Sequence, residues 1–216
     1  MKTNIKTKDI IIQPEYSAVG SKGYPSRSIK LAINLFNHLG IESTIEVGCG
    51  LLSNTRYLLK AFKWVVLVDT EFQLKRIQDR LSQLRREYSS LYAVIPYTKF
   101  KYSKLSFESA ILLNVLHVLP TKQDRIDLLR SVHSNLKNGG IVYIDSPRGE
   151  RYYKKFLKSK QQYNDGWLIP RGKYATFYKD LTVNEIVSYL KKIGFNVISY
   201  PKLDHRTIVL AEKSIE

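Results

Sequence analysis

The chain has one cysteine, Cys49, in 216 residues. A single thiol excludes an intrachain disulfide framework and any cluster of cysteines around a metal. Long hydrophobic runs are also missing. The longest, around Ala110 to Pro120, is broken by Asn114 and His117. It falls short of the roughly 18 apolar residues that a membrane span needs. The start, Met1-Lys2-Thr3-Asn4-Ile5-Lys6, leads into no apolar segment of the secretory type. No signal peptide is therefore expected, and a cytoplasmic, reducing setting fits. There is no internal repeat and no low-complexity tract. His38, His117, His133 and His205 show no ligand spacing, so no metal site is expected. Acids are scarce, with 19 Asp and Glu against 35 Lys and Arg, a net charge of +16. Such a surface attracts polyanions, but charge alone speaks to solubility and non-specific association rather than to an activity.

What is present reads as a globular α/β chain. Hydrophobic residues make up 44% and charged residues 25%, within the normal range of a packed domain. The length suits a single domain over 1–216. Residues 1–26 read as an irregular lead-in or lid. Ser26 is placed to cap a helix over 27–39, whose apolar Ile29, Ala32, Ile33, Phe36 and Leu39 keep helical spacing. Strand and helix then alternate. Strands are expected over 43–47, 64–69, 92–95, 109–115 and 141–145, and helices over 53–62, 71–88 and 121–136. Strands apolar on both faces and separated by helices imply a parallel sheet covered on both sides. Near the end, Thr182 and Glu185 have the spacing of a capping box for a helix to about Ile193. Two strands follow, 195–200 and 206–212. Their link is too short for anything but an antiparallel pair. The expected fold is a doubly wound, mostly parallel seven-stranded sheet with a C-terminal antiparallel hairpin.

Residues 147–180 break this alternation. They carry nine Lys and Arg against three Asp and Glu, with eight aromatics interleaved. A connection of this length usually has a purpose or a structure of its own. Here it reads as a basic, aromatic insertion placed where the charge excess meets the carboxyl edge of the sheet.

The chemistry centres on Glu46-Val47-Gly48-Cys49-Gly50, at a strand end opening into a helix. Glycines at that bend let the backbone turn sharply and approach a ligand. Asp69 ends the next strand, where a carboxylate can take both hydroxyls of a ribose. Glu46, beside the glycines, would repel a pyrophosphate, and Leu52 stands where a dinucleotide loop has its third glycine. A cationic nucleoside such as S-adenosylmethionine suits these residues better.

These residues resemble motif I of the Rossmann-like, seven-stranded S-adenosylmethionine-dependent methyltransferases. Asp69 is similar to their ribose-binding acid. Phe107 to Pro120 resembles their fourth-strand motif, and Leu136 to Val142 the turn before their fifth strand. The terminal hairpin matches their last two strands. The resemblance spans roughly 27–146 and 181–212. It implies S-adenosylmethionine as cofactor, held by Glu46, Gly48, Cys49, Gly50, Asn54, Asp69, Thr70, Tyr97 and Asn114. The chain departs from the pattern at Leu52 and in lacking an acid after the third strand, where Pro96-Tyr97-Thr98 stands. Tyr97 is read either as a stacking partner for adenine or as an exposed loop residue.

Catalytic candidates are few. Asn114 either orients an acceptor or caps the strand end. His117 is a possible general base by its near-neutral pKa, although a structural role is preferred. Asp145 either faces the acceptor or caps a helix. The Cys49 thiol is expected to pack rather than react. Acceptor binding is expected from Tyr24 and Arg27 in a lid over 17–27, and from Trp167, Arg171, Lys173 and Tyr174 in a loop of the insertion. That loop is open to three readings: a clamp on a nucleotide, an apolar lid on a small substrate, or a dimer contact. A small-molecule acceptor is the first expectation, RNA or DNA the second and protein the third. The Asp/Asn-Pro-Pro-aromatic signature of amino-methylating DNA enzymes is absent. A methyltransferase-like binding module without catalysis is the reading from another class.

Overall fold

The computed structural model describes residues 11–18, 24–149 and 161–215. In chain order its elements are β1 (Ile11–Ile12), α1 (Arg27–His38), β2 (Ser43–Val47), α2 (Thr55–Ala61), β3 (Trp64–Asp69), α3 (Glu71–Arg76), α4 (Gln78–Glu87), β4 (Leu91–Pro96), α5 (Tyr97–Phe100), β5 (Phe107–Leu113), α6 (Lys122–Asn135), β6 (Leu136–Pro147), β7 (Gln161–Tyr163), β8 (Gly166–Arg171), β9 (Tyr174–Tyr178), α7 (Val183–Lys191), β10 (Phe195–Ser199) and β11 (Arg206–Lys213).

Seven strands form the main sheet in the order β10-β11-β6-β5-β2-β3-β4. The pairs β2–β3, β2–β5, β3–β4 and β5–β6 are parallel. The pairs β11–β6 and β10–β11 are antiparallel. The expected sheet and terminal hairpin are both present. The reason is visible in β2 and β3, whose residues Ile45, Val65, Val66 and Leu67 are fully buried from both sides. One core cluster lies on each face of the sheet. Helix starts follow their caps. Ser26 accepts from the Ile29 N–H at 3.1 Å, and Thr121 and Thr182 each complete a capping box.

Several expectations need correction. The helix expected over 71–88 is two helices, broken at Ile77, where φ is −111° and ψ 14°. Gln73, before the break, and Ile77, at it, are each nearly inaccessible. The helix expected from Ser53 begins at Thr55. The chain first makes a turn through Leu52, at φ 63°. A left-handed non-glycine residue costs about 1–2 kcal/mol. Burial of the Leu52 side chain in the core offsets that cost. The strand expected from Ile141 begins at Leu136 and runs on to Pro147.

The largest correction concerns 147–180 and the lead-in. Residues 161–178 are an antiparallel meander, β7–β8–β9. The lead-in adds β1 in parallel to β9, pairing Ile11 with Tyr174 and Ile12 with Ala175. The expected irregular segment and the expected loop are therefore parts of one small sheet, in the order β1-β9-β8-β7. Its turns are tight: Asn164 (φ 48°) and Gly172 (φ 66°) supply the left-handed positions that such hairpin turns demand. Leu168, Ala175 and Phe177 form its own core with Ile12 and Tyr163. The turn between β7 and β8 is anchored to the main body. Asp165 pairs with the wholly buried Arg125 of α6, and the Asn164 amide donates to the Pro120 carbonyl at 3.0 Å. Gly20, Gly23, Glu150, Arg151, Tyr152, Tyr153, Lys154, Lys155, Lys158 and Lys160 lie outside the described residues.

Candidate functional site

The parallel strands β2, β3, β5 and β6 end at one edge, and the residues that terminate them meet there. Between that edge and the small sheet lies a cleft of about 1320 Å³. Open α/β sheets bind ligands at this edge.

The glycine loop follows β2. Gly48 (φ 75°) and Gly50 (φ 55°) are left-handed. A Cβ on Gly48 would stand 2.5 Å from Val115 Cγ2, so only glycine fits there. The Gly50 N–H donates to Asp69 Oδ2 at 2.7 Å, and the Thr70 N–H to Asp69 Oδ1 at 2.8 Å. Asp69 is thereby held rigidly at the end of β3. Burial raises its pKa, opposed by these two N–H bonds. Thr70 also caps α3 through its side chain. Gln73, not foreseen from sequence, donates from Nε2 to the Gly50 carbonyl at 2.5 Å and fixes the loop from below. It follows Asp69 by one helical turn, which was the available signal.

Glu46 is buried, and the Thr55 hydroxyl donates to its Oε2 at 2.6 Å. Burial pushes its pKa up to about 8. The side chain therefore anchors the start of α2 and lines the cleft as a neutral acid near pH 7. Cys49 is buried, and burial beside Asp69 and Glu46 lifts its thiol well above the ordinary range. It packs, as expected. Asn54 lines the cleft but makes no side-chain cap for α2. Tyr97 opens α5 and lines the cleft half-buried, which corrects the exposed-loop reading.

On the other wall, Asn114 (φ 59°) donates its N–H to the Asp145 carbonyl at 2.8 Å. Arg206 ties the two side chains together. Its Nε donates to Asp145 Oδ1 and its Nη2 to Asn114 Oδ1, each at 2.6 Å. Asp145 thus pairs with an arginine and caps no helix, because β6 continues past it. Its Oδ2 is buried with no hydrogen-bond partner among the described residues. His117 is buried edge-on to Tyr178, with ring centroids 5.9 Å apart. Burial drives its pKa down to about 3. It is a neutral and weak base, in line with the structural reading.

Of the expected acceptor residues, Tyr24, Arg27 and Arg171 line the cleft. Trp167, Lys173 and Tyr174 lie off it. Trp167 stacks on Tyr178 and Tyr174 on Tyr16. Ile169, Arg171, Thr176 and Phe177 line the cleft instead. Trp167 and Tyr174 share a face of the small sheet with Ile169, Arg171 and Thr176, so position along the strands separates them. The lead-in contributes Ser17 and Ala18, within the expected lid, and Pro14 and Glu15, which precede it. The charge is the other surprise. Seven Asp and Glu, the neutral Glu46 among them, line the cleft against four Lys and Arg. Of the basic residues of the insertion that are described, Arg171 alone reaches the cleft, while Lys179 is paired with Glu185 at 3.1 Å. Among the described residues, no three His, Cys, Asp or Glu are arranged to hold a metal ion, and no helix is long and apolar enough to cross a membrane.

A parallel sheet closed by an antiparallel hairpin, with a rigid acid and a glycine loop at its carboxyl edge, defines a Rossmann-like domain built for a nucleoside cofactor. The comparisons carry this further. Residues 45–142, from β2 into β6, match a family described as a methyltransferase domain. Over that segment the chain is similar to methyltransferase domains, and the fold around it is Rossmann-like. No curated protein matches it by sequence. Among solved structures it is similar to the 1,6-didemethyltoxoflavin-N1-methyltransferase of Burkholderia thailandensis. That likeness has 16% identity and a TM-score of 0.64, covering 88% of this chain and 79% of the other. A methyltransferase of Clostridium acetobutylicum is 15% identical over 87% of this chain and 91% of its own, with a TM-score of 0.64. One from Methanosarcina mazei is 17% identical over 85% and 98%, with a TM-score of 0.63. The residues present fit S-adenosylmethionine. Gly48 and Gly50 bend the loop at the edge of the cleft, Asp69 presents a fixed carboxylate for a diol, and acids line a site for a cation.

Proposed function

We propose that this protein transfers a methyl group from S-adenosylmethionine to a small-molecule acceptor held between the strand ends and the β8–β9 hairpin. The observation that carries the acceptor class is the cleft lining, six carboxylates besides the neutral Glu46 against four Lys and Arg in a chain of net charge +16. A polyanion would meet repulsion there, whereas a neutral or cationic molecule would not. The small sheet adds the apolar Ile169 and Phe177 above the site, as suits an enclosed small ligand. A solved relative of this fold was crystallised with 1,6-didemethyltoxoflavin and S-adenosylhomocysteine, and it supports the same reading by analogy.

When bound, the cofactor supplies a methyl group already activated on a sulfonium. The chain's own residues then position and shield. Gly48, Gly50 and Asp69 hold the nucleoside end, and Asn114, Asp145 and Arg206 form the wall facing the acceptor. The roof of β8 and β9 excludes water. Orientation and water exclusion are the main terms such a transfer needs, so a neutral His117 is no obstacle.

The test is direct. The protein is titrated with S-adenosylmethionine and S-adenosylhomocysteine by calorimetry, alongside Asp69→Ala. It is then incubated with the methyl donor and either a small-metabolite extract or total RNA and DNA. Binding to wild type that Asp69→Ala abolishes, with product formed from the metabolite extract, is expected. Methylated nucleic acid, with affinity falling steeply with salt and less steeply in Arg171→Ala/Lys173→Ala, would replace the acceptor class. Absence of binding to either nucleoside would remove the enzyme reading.

A further inference from the structure

The lead-in does more than extend the small sheet. After β1, the Gln13 N–H donates to the Ala175 carbonyl at 2.9 Å. The chain then makes a short 3₁₀ turn, Pro14–Ser17. This turn lies directly over the glycine loop: Ala18 Cβ is 3.5 Å from the position a Cβ on Gly50 would take. Glu15 lines the same cleft as Asp69, and its negative charge is felt there.

The turn is clamped from both sides. The Tyr16 ring stacks on Tyr174 of β9, with centroids 5.1 Å apart and planes 16° from parallel. On the other side Arg76 of α3 stands over the same ring, 5.5 Å from its centroid. The clamp is connected to the loop beneath it. Arg76 Nη1 donates to Gln73 Oε1 at 2.9 Å, and Gln73 Nε2 donates to the Gly50 carbonyl. The seating of Tyr16 and the shape of the glycine loop therefore share one chain of contacts.

We propose that the Pro14–Ala18 turn is the fourth wall of the cofactor site, with Glu15 a cofactor-binding residue alongside Asp69 and Tyr16 the clamp that seats it. The proposal rests on the methyl-donor reading of the cleft. Its physical basis is the presence of two carboxylates on one ligand space, near enough that Glu15 raises the pKa of Asp69. They repel each other until hydrogen-bond donors or a cation lie between them. A nucleoside carrying a diol and cationic groups supplies both. Ligand binding thus removes a repulsion that resists closure, and closure in turn buries the ligand.

Calorimetry with S-adenosylhomocysteine and hydrogen exchange over residues 11–18, with and without it, test this on the full chain. Wild type is expected to bind and to exchange more slowly in that segment when bound. Glu15→Gln is expected to bind about tenfold or more weakly, the size of one lost hydrogen bond to a charged group. In the free protein, the same variant is expected to exchange at the wild-type rate or more slowly, because the repulsion is gone. Tyr16→Ala is expected to exchange faster and bind several-fold more weakly, by about the worth of one aromatic contact, and Tyr16→Phe to restore both. Wild-type affinity in Glu15→Gln would overturn the proposal. So would weakened binding accompanied by faster exchange in the free variant, which marks a purely structural role. Failure of wild type to bind either nucleoside would instead overturn the methyl-donor reading, and the proposal with it.

Discussion

Arg206 donates from Nε to Asp145 Oδ1 at 2.6 Å, joining two strands whose residues lie 61 positions apart. Asp145 is 1% exposed. Its charge is tolerated only because the guanidinium is there. Arg206→Met leaves a buried carboxylate without its partner and is expected to cost about 3–5 kcal/mol. Arg206→Met/Asp145→Leu removes both charges and should recover most of that loss. Urea denaturation, read as a shift in midpoint at constant slope, measures both.

The Glu46 carboxyl titrates near 8 in the folded chain, against an ordinary value of 4.5. An acid with a raised folded pKa contributes stability that is complete below its unfolded pKa and is lost as pH rises through the folded one. Wild-type stability should therefore decline from about pH 4.5 to about pH 8, by at most about 1.4 kcal/mol per pH unit from this group. Glu46→Gln should flatten that slope in thermal melts across the same range. If the cofactor's cation lies beside Glu46, S-adenosylmethionine binding below pH 8 should also release a proton, seen as a buffer-dependent heat.

Gly48→Ala puts a methyl 2.5 Å from Val115 Cγ2 at a left-handed φ of 75°. Strain and overpacking together are expected to cost about 1–3 kcal/mol. Val115→Ala added to it should relieve the clash but not the strain. A partial recovery of stability in the double variant, measured by chemical denaturation, separates the two terms.

Arg125 is wholly buried and pairs with Asp165 in the β7–β8 turn. Asp165→Ala strands that guanidinium, with the Leu119 carbonyl as a remaining partner at 2.8 Å. The expected loss is about 3 kcal/mol or more. Because the pair holds the hairpin to α6, exchange should rise first in residues 161–171. Uniform acceleration across the main sheet would contradict this anchoring role.

The main sheet was legible because its signals are local. Apolar runs such as Trp64 to Asp69 read as buried strands without knowledge of their neighbours. Capping residues Ser26 and Thr182 marked helix starts through bonds to residues three positions on. The glycine loop and Asp69 were legible too, since left-handed turns need Gly48 and Gly50. The small sheet was not. Its strands are short and aromatic, interleaved with basic residues, and β1 pairs with a segment more than 150 residues later. Nothing local to Ile11–Ile12 names Tyr174 as a partner. The position of β8 and β9 along the cleft was lost for the same reason, so Trp167, Lys173 and Tyr174 were expected at a cleft that Ile169, Thr176 and Phe177 line.

The sequence by itself determined a parallel sheet with a terminal hairpin, a glycine loop and an acid at the next strand end. These follow from periodicity and from backbone positions that only certain residues adopt. Tertiary structure alone decided the character of the cleft. A net charge of +16 says nothing of sign at one place, because exposed lysines and arginines disperse over a surface while the fold gathers distant carboxylates to a single edge. Glu15, Asp69, Asp145 and Asp204 come from four different regions of the chain and line the same cavity. Packing at strand ends brings them together, and separations of tens to hundreds of residues leave no local trace of it.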